Sequence, residues 1–534
     1  MTKNTFITVY YRMTIYDYLK SWVIDKLAKK NTKNIQFGTA NFPENDYSKI
    51  LPFAYAQSDK SQLLSNQTIV DLDIESVFQK IDHCITPIGK QYLNSKLITQ
   101  KNTELISELN INRYSDPIFR NAIIQSLQKL QNYQFFSLFE KIWIPKEMEF
   151  PKITWTKITT LILTLSLILS FIKVEFLGIF FIIYITHYIV YFKQKYLLLY
   201  YADQLNDISK LYQVAIELQS KSADNTPLPR IKIFNRVNIF LFFESISKAD
   251  FTGISFLIYE QIKILFLWEF RLYRRTSKGI TANRENLKTY FNFIGFTDMA
   301  YSIASLRASK NIHFCTPTRI SIPKISFENL QHPLVENCIG NSFIFSRSCL
   351  ITGSNMSGKT TFMRAIAINI QLSNTLNMAF ADTFQYYNFP IYSAITISDD
   401  INNSKSFFFA EVDVMKNITS KTQKGNSLIL LDEIFKGTNH DEKIAIKYAF
   451  YTFLNENGNI VLASTHDLEM AENLSNTYDF IYFNESIINN KLQFDYKLKL
   501  GLCKEQNAIR ILELANMNYS IINYAKEFYH KKKI

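Results

Sequence analysis

The spacing of apolar residues changes along the chain, and each change predicts a different kind of element. Ile69 to Leu97 (IVDLDIESVFQKIDHCITPIGKQYLNSKL) has helical period. It predicts a helix over Ile74 to Ile81, then a turn in which Thr86 caps and Pro87 opens a second helix carrying Ile88, Tyr92, Leu93 and Leu97 on one side. Helical spacing continues from Leu105 to Phe139, with Leu105, Leu109, Ile123, Leu127 and Leu130 as candidate core, until Pro145 and Pro151 end it. Met1 to Ser65, with Pro43 and Pro52, shows no clear period and reads as a poorly specified lead.

Two runs are apolar on every side. Ile158 to Ile172 (ITTLILTLSLILSFI) and Phe176 to Phe192 (FLGIFFIIYITHYIVYF) are separated only by Lys173, Val174 and Glu175. Each falls slightly short of the roughly 20 residues a spanning helix needs, and borrowing Thr156, Lys157, Lys193 and Gln194 closes the gap. The pair predicts a membrane hairpin, with Trp155 and Tyr191 at interfacial depth. Lys146, Lys152 and Lys157 before it and Lys193 and Lys195 after it place both outer ends in the cytoplasm. The competing reading is a buried helical hairpin inside a soluble core. His187, within the second run, is expected to tuck against a neighbour.

No secretory signal is expected at the start, where Met1 to Ala28 mixes Tyr, Arg, Asp and Lys. Past the hairpin, Tyr196 to Ser220 resumes helical period, and Pro227 and Pro229 mark a loop. Ile239 to Trp268 is apolar but interrupted by Glu244, Lys248, Asp250, Glu260, Gln261 and Lys263, which predicts buried amphipathic helices and no further span. Asn283 to Arg307 predicts another long helix.

From about Phe314 the pattern becomes short apolar strands alternating with helices. An apolar run ending in Cys349, Leu350 and Ile351 leads into Gly353, four residues, then Gly358, Lys359 and Thr360, the full phosphate-loop spacing. Its glycines let backbone N–H groups curl around a polyphosphate, so the loop Gly353, Ser354, Asn355, Met356, Ser357, Gly358, Lys359, Thr360, Thr361 is the candidate ATP cradle. Lys359 would reach the terminal phosphates, and Thr360 would place its hydroxyl on Mg2+. Downstream, the apolar strand Ser427 to Asp432 ends in a carboxylate suited to the same Mg2+, and Glu433 beside it suits activation of water. A third strand, Asn459 to Ala463, leads through Ser464 and Thr465 to His466, which a terminal phosphate could accept a hydrogen bond from, and to Asp467.

At 534 residues there is room for two to four domains, and a net charge of +12 suits a negatively charged partner, nucleic acid or an anionic membrane. The excess does not choose between them. Cys84, Cys315, Cys338, Cys349 and Cys503 are scattered singles, which points to neither a zinc cage nor a disulfide framework, and nothing calls for haem or flavin.

Together GSNMSGKTT at Gly353 to Thr361, DEIFKGTN at Asp432 to Asn439 and STHD at Ser464 to Asp467 resemble the ATPase domain of the MutS family, a branch of the ABC ATPases. His332 and Pro333, the segment Asp399 to Glu411, and Gly501 to Leu514 are similar too, as more weakly are Ile81 to Leu97 and Phe296 to Leu306. The resemblance implies an α/β fold class: a C-terminal ABC-type P-loop ATPase domain preceded by an all-α lever and core domain, here with an inserted transmembrane hairpin. The division would be a lead at 1–67, helical core at 68–150, hairpin at 151–195, core and lever at 196–312 and ATPase at 313–534. It further implies a homodimer in which Ser406 touches, in trans, the phosphate held by the other copy, with His466 as a switch histidine and Glu433 as catalytic carboxylate. Ser404 and Phe407 stand where the family has Gly and Thr. DNA binding is implied, but no Phe-x-Glu mismatch wedge is found before the helical core. The nearest likeness is to short membrane-associated bacterial members, with the ATPase domain in the cytoplasm. Three functions follow: a membrane-tethered ATPase acting on DNA, an ATPase remodelling a membrane protein or lipid partner, or a scaffold that holds ATP without turnover.

Overall fold

The computed structural model describes residues 35–40, 46–100, 106–144, 155–222, 227–234, 237, 254–310, 312–354, 356–396, 407–435, 438–488, 491–503, 509, 512–513 and 517–533. The N-terminal part is helical. It begins with α1 (Tyr47–Gln57), α2 (Asn66–Asp71), α3 (Ile74–Ile81) and α4 (Pro87–Leu97). The last two have the bounds that the apolar period predicts. Thr86 Oγ1 accepts the Gly89 N–H at 2.9 Å, and Pro87 sits where a helix lacks an N–H partner anyway. The poorly specified lead contains α1, which buries Ile50, Phe53 and Ala54 against α4; Pro52 inside it obscured the period.

Next come α5 (Glu108–Asn112), α6 (Pro117–Leu127) and α7 (Leu138–Trp143). Ile123, Leu127 and Leu130 are fully buried as expected. Leu109 is not: it is 77% exposed, because the short helix α5 turns Ile111 inward instead. Leu105 lies outside the described residues.

The two apolar runs form α8 (Trp155–Leu169) and the first part of α9 (Phe176–Lys221), a 46-residue helix that absorbs the helical stretch expected after them. Their apolar faces point away from the rest of the chain. Ile158 is 62% exposed, Ile168 62% and Ile182 68%, and only 11% of the most apolar stretch, Phe176–Lys195, is buried. That pattern does not fit a hairpin enclosed by a soluble core. His187 is buried, its Nδ1 3.0 Å from the Leu265 carbonyl and its Nε2 2.8 Å from Thr159 Oγ1.

Against the hairpin lies α10 (Ile254–Phe266), followed by α11 (Trp268–Ala282) and α12 (Arg284–Arg307). Of the stretch Ile239 to Trp268 expected to be buried, residues 239–253 lie outside the described residues, and for α10 the expectation needs correction. Leu257, Ile258, Ile262 and Phe266 of α10 are exposed, whereas its charges turn inward. Lys263 pairs with Glu269 at 3.0 Å, and Lys195 with Glu260 at 3.1 Å. These charged residues therefore neutralise one another inside, leaving the apolar side outermost.

The C-terminal part carries β1 (Thr318–Arg319), β2 (Ile325–Leu330), β3 (Asn341–Phe345), β4 (Ser348–Gly353), α13 (Lys359–Leu376), β5 (Thr383–Tyr386), β6 (Ile391–Ala394), α14 (Phe407–Lys421), β7 (Leu428–Asp432), α15 (His440–Glu456), β8 (Ile460–Ser464), α16 (Ala471–Leu474), β9 (Tyr478–Phe483), β10 (Glu485–Ile488), β11 (Lys491–Phe494), β12 (Lys499–Leu500) and α17 (Tyr519–Lys533). One sheet runs β12-β9-β4-β8-β7-β6, parallel except for the β12 edge. A second runs β1-β5-β2-β3, and β10 and β11 form a separate antiparallel pair. β4 and β8 are buried at every position, as parallel strands covered on both faces must be.

Polar junctions tie the parts together, among them those of Asp71 and Arg307. From α2, Asp71 accepts the Ser393 hydroxyl at 2.7 Å and the N–H groups of Ile395 and Thr396 at 3.0 and 2.7 Å, just past β6. At the end of α12, Arg307 donates to the Leu376 and Asn377 carbonyls that close α13 and pairs with Glu108 at 2.7 Å.

Candidate nucleotide-binding site

The carboxyl ends of neighbouring parallel strands are where an open α/β sheet leaves a crevice, and three such ends meet here. β4 runs out at Gly353, β7 at Asp432 and β8 at Ser464. The loop after β4 turns tightly back into α13. Gly353 sits at φ +132°, and a Cβ there would come 1.9 Å from the Phe483 carbonyl oxygen, so no larger residue fits. Gly358 at φ +101° lets the chain enter the helix directly at Lys359.

Lys359 is buried, and its ammonium donates to the carbonyls of Gly353 and Ser354 at 2.9 and 2.7 Å. Burial pulls its pKa down, against the pull of Glu433, Asp432 and Glu485. Thr360 Oγ1 donates to Asp432 Oδ2 at 2.7 Å, while the Ser464 hydroxyl donates to the other carboxylate oxygen, fixing Asp432 from two sides. Glu433, next in line, sits at φ +46° with its N–H bonded to the Ser464 carbonyl at 3.2 Å. A glutamate held in the left-handed region is strained, and strain of this kind gathers at functional sites. Its carboxylate lies 2.7 Å from His466 Nε2.

These side chains border a cavity of about 800 Å³, whose lining includes Met356 to Phe362, Asp432 and Glu433. Further wall is supplied by His332, Val335, Ile339, Asn341, Phe483 and Tyr496. His332 is neutral: burial, aided by the Arg364 charge, pushes its pKa down to about 4, and its Nδ1 accepts the Leu334 N–H. Asn341 donates to the Tyr496 carbonyl at 2.9 Å and so pins that wall. A phosphate-sized polar end beside a partly apolar chamber suits a nucleotide.

Of the residues proposed from sequence, Ser357, Gly358, Lys359, Thr360, Thr361, Met356, Asp432 and Glu433 line this cavity; Gly353 and Ser354 hold Lys359 beneath it, and His466 joins through Glu433. Asn355 and Ser406 lie outside the described residues. Sequence reasoning gave no role to Ser464, Glu411, Glu485 or Tyr496. Glu411 is buried and accepts the Phe435 N–H at 2.7 Å just beyond Glu433. Glu485, two residues past the Phe483 that pairs with Gly353 on the neighbouring strand, receives the Ser354 hydroxyl. Only the position of Ser464 beside His466 carried a local signal. Asp467 supports the turn from α15: burial pushes its pKa up, but hydrogen bonds from Lys447 and Lys443 hold it below the usual carboxylate range.

The groups suit Mg2+ with a triphosphate. One carboxylate and one hydroxyl converge, and among the described residues no cluster of three or more His, Cys, Asp or Glu could cage an ion alone. A hard cation here would take its other ligands from phosphate and water, as Mg2+ does.

Residues 349–533 match the family model of MutS domain V. The chain is 26% identical over 272 residues to a DNA mismatch repair protein MutS of Natronomonas pharaonis, covering 48% of this chain and 31% of that one. A protein of the same name from Clostridium botulinum is 27% identical over 286 residues, with 48% and 29% covered. One from Streptococcus mutans is 26% identical over 270 residues, with 48% and 31% covered. The matched stretch thus spans about a third of the length of these curated relatives.

Proposed function

The chain is a MutS-family protein with residues 349–533 as its domain V, and on that premise we propose that it is an ATP-hydrolysing protein tethered to a membrane. The observation that carries this reading is the meeting of Lys359, Thr360, Asp432 and Glu433 around one cavity. Backbone N–H groups of the Gly353 to Thr361 loop would bind the phosphates, and Lys359 would exchange its two carbonyl partners for phosphate oxygens. Thr360 and Asp432 would hold Mg2+, which when bound neutralises charge on the phosphate oxygens. Glu433 would take a proton from the attacking water, with His466 orienting its carboxylate. Val335, Ile339 and Tyr496 offer the flat apolar surface a nucleobase needs.

The relatives are named for DNA mismatch repair, which supports a DNA partner; the net charge of +12 suits contact through phosphates but suits an anionic membrane equally. We propose a homodimer, with Ser406 of each copy reaching the phosphate in the other, and closure of the helical arms driven by the nucleotide. Asp71 and Arg307, which tie α2 and α12 to the ATPase sheet and to α13, supply the route for that closure. The outward apolar faces of α8 and α9 support a tether in the cytoplasmic membrane over Ile158 to Phe192. The same faces favour a second reading, remodelling of a membrane protein or lipid without DNA. Phosphate release measured with homoduplex, mismatched and branched DNA separates the two: stimulation by at least one structure is expected, and identical turnover with all of them supports the second.

A further inference from the structure

Just past the apolar helices, α11 carries Arg271, Arg274, Arg275 and Lys278, at intervals of three, one and three residues, which is one face of a helix. The opposite face is what holds α11 in place: Glu269, Phe270, Tyr273 and Thr276 are buried. Arg274, Arg275 and Lys278 are exposed. The single carboxylate of this helix, Glu269, is turned inward onto Lys263, so it does not offset the stripe.

The stripe's location is fixed by several contacts. Leu267, at φ +45°, makes a sharp turn between α10 and α11, and Arg271 reaches back across it to donate to the Phe266 carbonyl at 2.8 Å. That same carbonyl faces Thr160 of α8, and the preceding carbonyl, of Leu265, faces His187 of α9. The basic face therefore begins at the foot of the apolar collar, the end where Trp155 packs near His187. Exposed Lys157 and Lys193 stand at the same end, at the start of α8 and the end of the apolar stretch of α9. An apolar surface bordered on one side by closely spaced cations is the arrangement that seats on anionic lipid, hydrocarbon against hydrocarbon and cation against headgroup.

We infer that the Arg271–Arg274–Arg275–Lys278 face of α11 is a binding site for anionic phospholipid headgroups. This rests on the reading of α8 and α9 as the membrane tether and adds a headgroup preference to it. It assigns a lipid role to part of the chain's positive charge, which would otherwise be credited to DNA. The site lies outside the nucleotide cavity and shares no residue with it.

The test uses the full chain reconstituted in vesicles, with tryptophan fluorescence as readout, since Trp155 and Trp268 flank the collar's foot. Brominated phosphatidylglycerol and brominated phosphatidylcholine, at equal mole fraction in a phosphatidylcholine background, are compared as quenchers. The wild type is expected to be quenched more by the glycerol lipid, with the preference falling on the order of fivefold for each charge removed in Arg274→Gln, Arg275→Gln and Lys278→Gln. Arg274→Lys with Arg275→Lys keeps the charge and should keep the preference. Equal quenching by both lipids overturns the headgroup site while leaving the tether intact. Absence of quenching by either lipid overturns the tether itself. Should the glutamine variants retain the lipid preference yet lose retention of duplex DNA, the stripe is a nucleic-acid contact and the inference is wrong.

Discussion

The Thr360 hydroxyl donates a 2.7 Å hydrogen bond to Asp432 Oδ2, joining the first turn of α13 to the tip of β7 across 72 positions of sequence. Their two motifs, far apart in sequence, were expected to share one Mg2+, and the structure brings the two side chains into contact. Their meeting brings two separate motifs into one candidate cation site. Thr360→Val keeps the shape and removes the hydroxyl, while Ser464 still holds Asp432. Its affinity for ATP in the presence of Mg2+ is expected to fall about 10- to 100-fold. Binding in excess chelator should barely change. Calorimetric titration under both conditions checks this, and equal losses with and without Mg2+ would show that the hydroxyl serves packing alone.

Arg307 is the clasp between the long helix α12 and the end of the phosphate-loop helix. Its guanidinium pairs with Glu108 through two contacts, of 2.7 and 3.0 Å, and donates to the Leu376 and Asn377 carbonyls. Arg307→Ala leaves those acceptors without their donor and is expected to cost about 2–3 kcal/mol, read as a lower denaturation midpoint. If α12 transmits the nucleotide state, the variant should also lose the ATP-dependent change in protease sensitivity of the helical part. An unchanged digestion pattern would exclude this clasp as the route.

Asp298 gives the helical part a pH signature. It is fully buried on α12 and accepts the N–H groups of Ile85 and Thr86, at 2.9 and 2.8 Å, and the Thr86 hydroxyl at 2.6 Å. Burial pushes its pKa up to about 6 from an ordinary 3.8. Because the folded value is the higher one, the folded state keeps this proton between roughly pH 4 and 6 after the unfolded chain has released it. The stabilisation is complete below the unfolded value and is lost as pH rises through the folded one. Relative to Asp298→Asn, which does not titrate, the wild type should lose on the order of 3 kcal/mol between pH 4 and 7. Parallel denaturation curves of the two proteins across that range measure the difference, and a constant gap contradicts the assignment.

The apolar collar makes a cell-fractionation prediction. With Ile158 to Phe192 in the bilayer, the protein should pellet with membranes and resist carbonate extraction, and deletion of those residues should release it. Recovery of the intact chain in the carbonate supernatant would remove the tether.

How much of this was legible beforehand depended on whether a signal was local. The bounds of α3 and α4 could be read because a capping Thr, a Pro at the first helical position and a clean period sit within a few residues of one another. The phosphate loop, the β7 carboxylate and His466 were legible for the same reason. Elements whose logic is tertiary were not. Pro52 hid α1, Leu109 looked inward until Ile111 was seen to take its place, and α10 looked buried although its charges pair inward across helices and its apolar side faces out. Within the site, Glu411 and Glu485 act through contacts to Phe435 and Ser354, at 24 and 131 positions' separation, which no spacing rule reveals.

On the proposed function, Glu433, poised beside Asp432 and bonded to His466, activates water for hydrolysis of a bound triphosphate. Single-turnover phosphate release from the full chain preloaded with ATP and Mg2+ tests it most directly, comparing wild type with Glu433→Gln. Measurable release is expected from the wild type, and from the variant a rate lower by about 10²- to 10⁴-fold with nucleotide still bound. Equal rates for the two proteins, or failure of the wild type to retain ATP at all, would contradict it.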